Sequence, residues 1–361
     1  MNSTQALHQL GQSIWLDNIT RTLLRSGTLA HYIRDLSVTG LTSNPTIFEH
    51  AIGRGDSYDA SIQVLSEAGL ADEELFFELA LEDLGEAADL FRPVHEATDG
   101  VDGWVSFEVS PLLAGNAART IRDANHLFEK AARANLFIKI PGTVQGVEAI
   151  EEVIFDGVPV NVTLLFSCEQ VMAAAMAYLR GLERRLAAGL DLKVASVLSL
   201  FVSRWDVALA SELASPFHNR LGIAMAMRTY RAHCEMLASH RWQLLAAAGA
   251  QPQRLLWAST GTKDPAAPDT LYVQALAAPG TINTLPEKTL LAFADHGKVD
   301  QSLPADGGYA EAVIEEIQRE GIDMEALAAR LQREGVDSFA KSWHALMGCI
   351  REKCVAQTGQ A

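Results

Sequence analysis

Eight short apolar segments alternate with helical patterns along this chain, and that alternation constrains its fold more than any other feature. The strand-like segments cover residues 14–17, 37–41, 104–109, 136–140, 158–164, 194–201, 255–259 and 281–284. Helical periodicity predicts helices over 20–26, 73–91, 114–135, 143–155, 168–188, 205–222, 225–248 and 264–276. Strand followed by helix, repeated eight times, marks an α/β protein with a parallel sheet and predicts a (β/α)8 TIM barrel. An open doubly wound sheet is the alternative. Against it, no GxGxxG follows the first strand, since Gly53-Arg54-Gly55 lacks the third glycine, and no GxxxxGK[ST] loop occurs. Beyond Pro286 the pattern turns mainly helical, over 287–296, 309–320, 323–334 and 337–354. Residues 1–286 are therefore expected to form the barrel with an N-terminal helix. Residues 287–361 are expected to be additional C-terminal helices packed on it, over the barrel floor or at a subunit contact.

Composition narrows the functions open to such a barrel. With 361 residues, 48% of them hydrophobic, the chain can bury a large core. A net charge of −16 argues against a nucleic-acid binder, which needs a basic face. A small anion held by a few local cations stays open. Cys168, Cys234, Cys349 and Cys354 form no CxxC pair, so they read as reduced thiols in a cytoplasmic protein. Met1 to Trp15 lacks the basic-then-apolar pattern of a signal peptide, and no run is long and apolar enough to span a bilayer. His218, His233 and His240 lie in helical segments without metal-ligand spacing.

Side chains alternate along a strand, so one set faces the barrel interior. In several strands that set is polar. Ser106, Glu108 and Ser110 share one face of the third strand, and Asn161 and Thr163 share one face of the fifth. Asp17 ends the first strand, Asn44 follows the second in Thr42-Ser43-Asn44-Pro45, and Ser199 lies in the sixth. Singly, each has an ordinary reading: a satisfied hydroxyl, or a turn at Asn44-Pro45. Together they bring two acids and an amine toward the C-terminal strand ends, where barrel chemistry resides. Buried charges are costly unless they are paired or used.

The amine is Lys139, in Leu136-Phe137-Ile138-Lys139-Ile140-Pro141. Desolvation disfavours an ammonium, and a neutral amine attacks carbonyls to form a Schiff base. The alternative is a strand-end lysine whose head reaches solvent. After the seventh strand, Ser259-Thr260-Gly261-Thr262-Lys263-Asp264 supplies hydroxyls, a glycine and a lysine before a helix, a pattern suited to phosphate. Arg204, after the sixth strand, could reach the same anion. A surface turn with a helix cap is the other reading of this loop.

Five segments together resemble the transaldolase family: 13–17, 40–46, 105–109, 137–143 and 161–167. The resemblance runs from about Ile14 through Pro286, and the helical tail fits the longer bacterial form. It implies a class I aldolase-type barrel using Schiff-base chemistry with no metal or other cofactor. It implies sugar-phosphate substrates: a dihydroxyacetone unit moves from sedoheptulose 7-phosphate or fructose 6-phosphate to an aldose phosphate, in the non-oxidative pentose phosphate pathway. Carried onto this sequence, Lys139 is the nucleophile, Glu108 the proton shuttle acting through a water oriented by Thr163, and Asp17 the base at the C4 hydroxyl. Asn44 and Asn161 bind the three-carbon unit, Ser199 places the substrate, Phe201 matches the family's aromatic, and Arg204 binds phosphate. The chain departs from the pattern after the seventh strand, where Lys263 stands near the place of a second phosphate-binding arginine. Free aldolases among the relatives are shorter and typically lack the acid at 108 and the Phe at 201. A noncatalytic sugar-phosphate-binding barrel is a further alternative. The sequence leaves monomer and homodimer open.

Overall fold

The computed structural model describes residues 2–358. Eight parallel strands close into a barrel in chain order. They are β1 (Ser13–Asp17), β2 (Val38–Thr42), β3 (Trp104–Glu108), β4 (Leu136–Pro141), β5 (Val160–Leu165), β6 (Ser196–Phe201), β7 (Arg254–Ala258) and β8 (Ile282–Leu285). Each lies within two residues, at either end, of the span expected from sequence. The strands are buried on both faces, apart from part of Asp17, as a helix-wrapped parallel sheet requires.

Aromatic rings fill the N-terminal half of the barrel. Trp104 stacks on Phe137 with centroids 4.1 Å apart, and Trp15 lies 6.1 Å from Phe137. Beneath them, buried Asp102 accepts from Trp15 Nε1 at 2.8 Å and from the Ser13 hydroxyl. Arg254 donates to Ser13 Oγ at 2.7 Å and to the Thr281 carbonyl at 2.9 Å. These rings and hydrogen bonds plug the N-terminal end of the barrel. The Trp15 indole fits because β2 carries Gly40 beside it: a Cβ there would sit 2.5 Å from Trp15 Nε1. Gly40→Ala should therefore destabilise the fold by about 1–3 kcal/mol, the usual cost of overpacking. Its urea midpoint measures this, and an unchanged midpoint would mean that the indole moves aside freely.

Three helical expectations are corrected. Residues 205–222 are not one helix: Ser203–Leu209 ends early, a short 3-10 turn covers Ser215–Phe217, and a new helix starts at Leu221. Pro216 cannot continue the helical hydrogen bonding, and the Asp206 carboxylate accepts from Leu221 N at 3.0 Å, fixing the restart. The 225–248 span breaks at Ser239, whose hydroxyl caps His240–Ala247 by accepting from Trp242 N. The 264–276 span is mostly loop around Pro265 and Pro268, with helix only over Leu271–Ala275.

The tail holds the largest difference. The segments expected as two helices, 323–334 and 337–354, are one helix, Met324–Thr358. Gly335, between the two expected spans, marks close packing: a Cβ there would meet Leu164 Cδ2 at 2.9 Å. This helix crosses the C-terminal mouth of the barrel, and not the floor. Gln332 Nε2 donates to the carbonyls of Gly142 (2.9 Å) and Leu164 (3.0 Å), beyond β4 and in β5. Ser342 shares a 2.7 Å hydrogen bond with Thr46, beyond β2. Trp343 packs edge-on against Phe76 at 5.1 Å. Leu164 itself has φ +57°, uncommon for a leucine, where the β5–β6 register shifts. The helix Glu287–His296 packs on β1 and β8 and fills the eighth place in the helical ring.

Candidate active site

The upper interior of the barrel collects the polar residues of six strands or strand ends. Lys139 pairs with Glu108, its direct neighbour in the β3–β4 register. The Lys139 Nζ lies 3.1 Å from Glu108 Oε2, with 7% and 3% of the two side chains exposed. It also donates to the Ser43 carbonyl at 2.9 Å. The strand-end alternative for Lys139, with its head in solvent, is thereby excluded. The ion pair is close but not aligned as a hydrogen bond. Both Glu108 oxygens and the Thr163 hydroxyl are buried without a hydrogen-bond partner among the described residues. Buried polar groups without a partner are few in folded proteins, and three of them meet here beside one amine.

Asp17 sits at the top of β1, deep in the mouth. Its Oδ1 accepts from Thr42 Oγ1 at 2.8 Å, and Thr42 shares a 2.7 Å hydrogen bond with Thr284. Because the carboxylate only accepts, Thr42 donates to Asp17 and Thr284 donates to Thr42. Burial pushes the Asp17 carboxyl above its ordinary range, opposed by the charge of Lys139, the Thr42 hydrogen bond and Lys263. Burial also raises Glu108, again against the pull of Lys139, while the Asp17 charge pushes it further up. Two carboxyls held toward protonation beside one amine are suited to moving protons.

Around this centre, Ser199 donates to Asn161 Oδ1 at 2.7 Å, and Asn161 Nδ2 donates to Ser106 Oγ at 3.0 Å. Asn44 Oδ1 caps the helix Pro45–Gly53 by accepting from Ile47 N at 3.0 Å. Asn44-Pro45 therefore opens a helix where an ordinary turn was the alternative, and the cap still leaves the amide NH2 for a ligand. Phe201 is buried against Phe166, with centroids 5.4 Å apart. The Arg204 guanidinium lies 5.3 Å over the Phe201 ring. Arg204 forms no ion pair among the described residues, and burial draws its guanidinium down, with Glu334 acting the other way.

A family model described as transaldolase/fructose-6-phosphate aldolase matches residues 14–350. The chain belongs to this transaldolase/fructose-6-phosphate aldolase family. A protein of Thermobifida fusca (strain YX) named transaldolase is 45% identical over 98% of this chain and 99% of its own length. One of Arthrobacter sp. (strain FB24), also named transaldolase, is 46% identical over 96% of this chain and 95% of its own. A protein of Nostoc punctiforme (strain ATCC 29133 / PCC 73102) named transaldolase 2 is 40% identical over 98% and 97%.

Within this family frame, Lys263 stands apart from the central cluster. It is exposed on the loop beyond β7 and lines a cavity of about 340 Å3 with Asp206, Asn219, Asp264 and Tyr272. Its charge nonetheless acts on Asp17. The Asp206 carboxyl in that cavity is pushed up to about 6 by burial, against hydrogen bonds from Tyr272 and the backbone of Gly222, Leu221 and Arg220. Three features of the site carry no functional signal in the sequence analysis. These are the Thr42–Thr284 support of Asp17, the Ser43 carbonyl under Lys139, and Phe339, whose ring lies 5.8 Å from Lys139 Nζ. Thr42 and Ser43 lie inside the 40–46 segment that carries the resemblance. Phe339 has no local signal, being an ordinary apolar position of a distant helix.

Proposed function

We propose that this chain is a transaldolase that moves a dihydroxyacetone unit from a ketose phosphate to an aldose phosphate through a Schiff base on Lys139. The observation that carries this reading is the buried Lys139–Glu108 pair, 3.1 Å apart, beside a second raised carboxyl at Asp17. The amine adds to the C2 carbonyl of a ketose such as fructose 6-phosphate or sedoheptulose 7-phosphate. Glu108, acting through a water that Thr163 helps to orient, returns a proton so that the carbinolamine oxygen leaves as water. The iminium then accepts the C3–C4 bonding electrons while Asp17 removes the C4 hydroxyl proton. The shortened aldose phosphate departs and an enamine stays on Lys139. Attack of the enamine carbon on an acceptor aldehyde forms the new C–C bond, Asp17 protonates the new alkoxide, and water hydrolyses the iminium. Asn44, Asn161 and Ser199 hold the hydroxyls of the three-carbon unit, Phe201 walls the site, and Arg204 with Lys263 takes the phosphate. A cytoplasmic setting accords with four free thiols.

The family model also spans fructose-6-phosphate aldolases, which makes release of free dihydroxyacetone the second reading. Near-full-length likeness to proteins named transaldolase favours transfer. Borohydride reduction with fructose 6-phosphate, followed by peptide mass spectrometry, tests the chemistry: one reduced dihydroxyacetone unit is expected on the peptide holding Lys139. An assay with erythrose 4-phosphate then separates transfer from release. Binding of the sugar without any adduct would overturn the proposal in favour of a noncatalytic barrel. Lys263→Ala should raise KM for phosphorylated sugars about tenfold with less effect on kcat, the pattern of lost ground-state binding. A loss confined to kcat would remove Lys263 from phosphate binding.

A further inference from the structure

The C-terminal helix Met324–Thr358 crosses the mouth above Lys139, and one residue of its inner face lies over the reacting amine. Gln332, Gly335, Phe339, Ser342 and Trp343 recur at spacings of three and four, so they share the stripe that faces the barrel. Gln332 fastens one end of this stripe to the Gly142 and Leu164 carbonyls, and Ser342 fastens the other to Thr46. Gly335 lets the helix approach Leu164, and a Cβ there would also lie 3.7 Å from Arg204 Nη1. Between these anchors, Phe339 is buried with its ring centroid 5.8 Å from Lys139 Nζ. Glu108 and the Ser43 carbonyl already provide the polar contacts of that nitrogen. The ring adds no hydrogen bond there. It is the apolar wall of the amine's surroundings.

We propose that Phe339 is a specificity-determining residue that keeps bulk water from the enamine on Lys139 and so favours transfer over release. This rests on the Schiff-base reading above. Without an acceptor, release requires a proton from solvent on the enamine carbon. Water then adds at C2, and the C–N bond breaks to give dihydroxyacetone and the free Lys139 amine. An apolar ring over the site slows the proton delivery while leaving the Glu108 side, which transfer uses, untouched.

The test compares the wild-type enzyme with Phe339→Ala and Phe339→Leu on fructose 6-phosphate. Three quantities are read: dihydroxyacetone released without acceptor, product formed with erythrose 4-phosphate, and adduct trapped by borohydride. Phe339→Ala is expected to raise the ratio of release to transfer about tenfold. Phe339→Leu keeps apolar bulk at the site and should shift the ratio in the same direction by less. The Leu variant also carries the test if truncation to Ala prevents folding. Release and transfer falling in parallel in the folded variants, with their ratio unchanged, would overturn the proposal and leave Phe339 as packing. No adduct on wild-type Lys139 would instead defeat the Schiff-base reading, a failure separate from that of the Phe339 assignment.

Discussion

Lys139→Met abolishes turnover, by about 10⁴-fold or more, and leaves no borohydride-trappable adduct, as expected when a nucleophile acting in a concerted group is removed. Methionine is chosen because it keeps the length and volume of the side chain while removing the amine. The substitution also strands Glu108, which is 3% exposed and has Lys139 as its ion-pair partner. Removing one member of a buried pair costs about 3–5 kcal/mol. That cost depends on pH, and its sign follows from Glu108. Burial already raises its carboxyl above the ordinary range, and Lys139 is what opposes the rise. With Lys139 gone, the folded-state value climbs further above the unfolded one. The variant then keeps its stability below the unfolded-state carboxyl value of about 4.3 and loses it as pH rises through the raised folded value. Denaturant midpoints near pH 4 and at pH 8 should show the variant close to wild type at the lower pH and clearly weaker at the higher. Ordinary turnover by this variant would end the Schiff-base assignment. A deficit in stability independent of pH would deny the coupling to Glu108.

The barrel was legible because its signal is both local and repeated. Each strand is a short apolar run ended by turn residues, and eight of them with intervening helices leave few other folds. The catalytic face was legible for a related reason: alternation put Glu108, Lys139, Asn161 and Thr163 on inward positions, where charge and hydroxyls are out of place. The helix breaks at 210–220 and 239 were obscured because apolar periodicity runs through them. What restarts the chain as a new helix is a side chain accepting from a backbone N–H, Asp206 in one place and Ser239 in the other. Gly335 lies in the gap between the two helices expected in the tail, where the structure has one. Glycine usually weakens a helix interior by about 1 kcal/mol, which reads as a boundary. Here its missing Cβ admits Leu164, a contact made by residues far apart in sequence. The position of the tail over the mouth, and of Phe339 against Lys139, depends wholly on such long-range contacts.

Asp17→Asn should separate Schiff-base formation from bond cleavage. The amide oxygen can still accept from Thr42, so the Thr284–Thr42 arrangement has no reason to collapse, but the side chain can no longer take a proton. Loss of a general base costs about 10²–10⁴-fold. The adduct should still form, because carbinolamine dehydration is assigned to Glu108 and Thr163. The trapped species therefore changes identity. Wild-type protein treated with fructose 6-phosphate and borohydride should carry a reduced three-carbon unit. The variant should carry the whole six-carbon phosphate, stalled before the C3–C4 bond breaks. A three-carbon adduct forming at the wild-type rate would remove Asp17 from the cleavage step. The same variant reveals what the carboxylate costs the fold. Burial outweighs Lys139, Thr42 and Lys263, leaving the Asp17 carboxyl raised. A raised acid is neutral, and costs no charge burial, below its unfolded-state value of about 3.9, and it penalises the folded state as pH rises through the folded value. The asparagine avoids that penalty. The variant should match wild type near pH 4 and exceed it in denaturant midpoint at pH 8. Equal or lower stability at pH 8 would mean that Lys139 and Lys263 fully offset the burial of the carboxylate. A gain at pH 8, together with the six-carbon adduct, would identify Asp17 as a charge retained at the expense of stability because cleavage requires it.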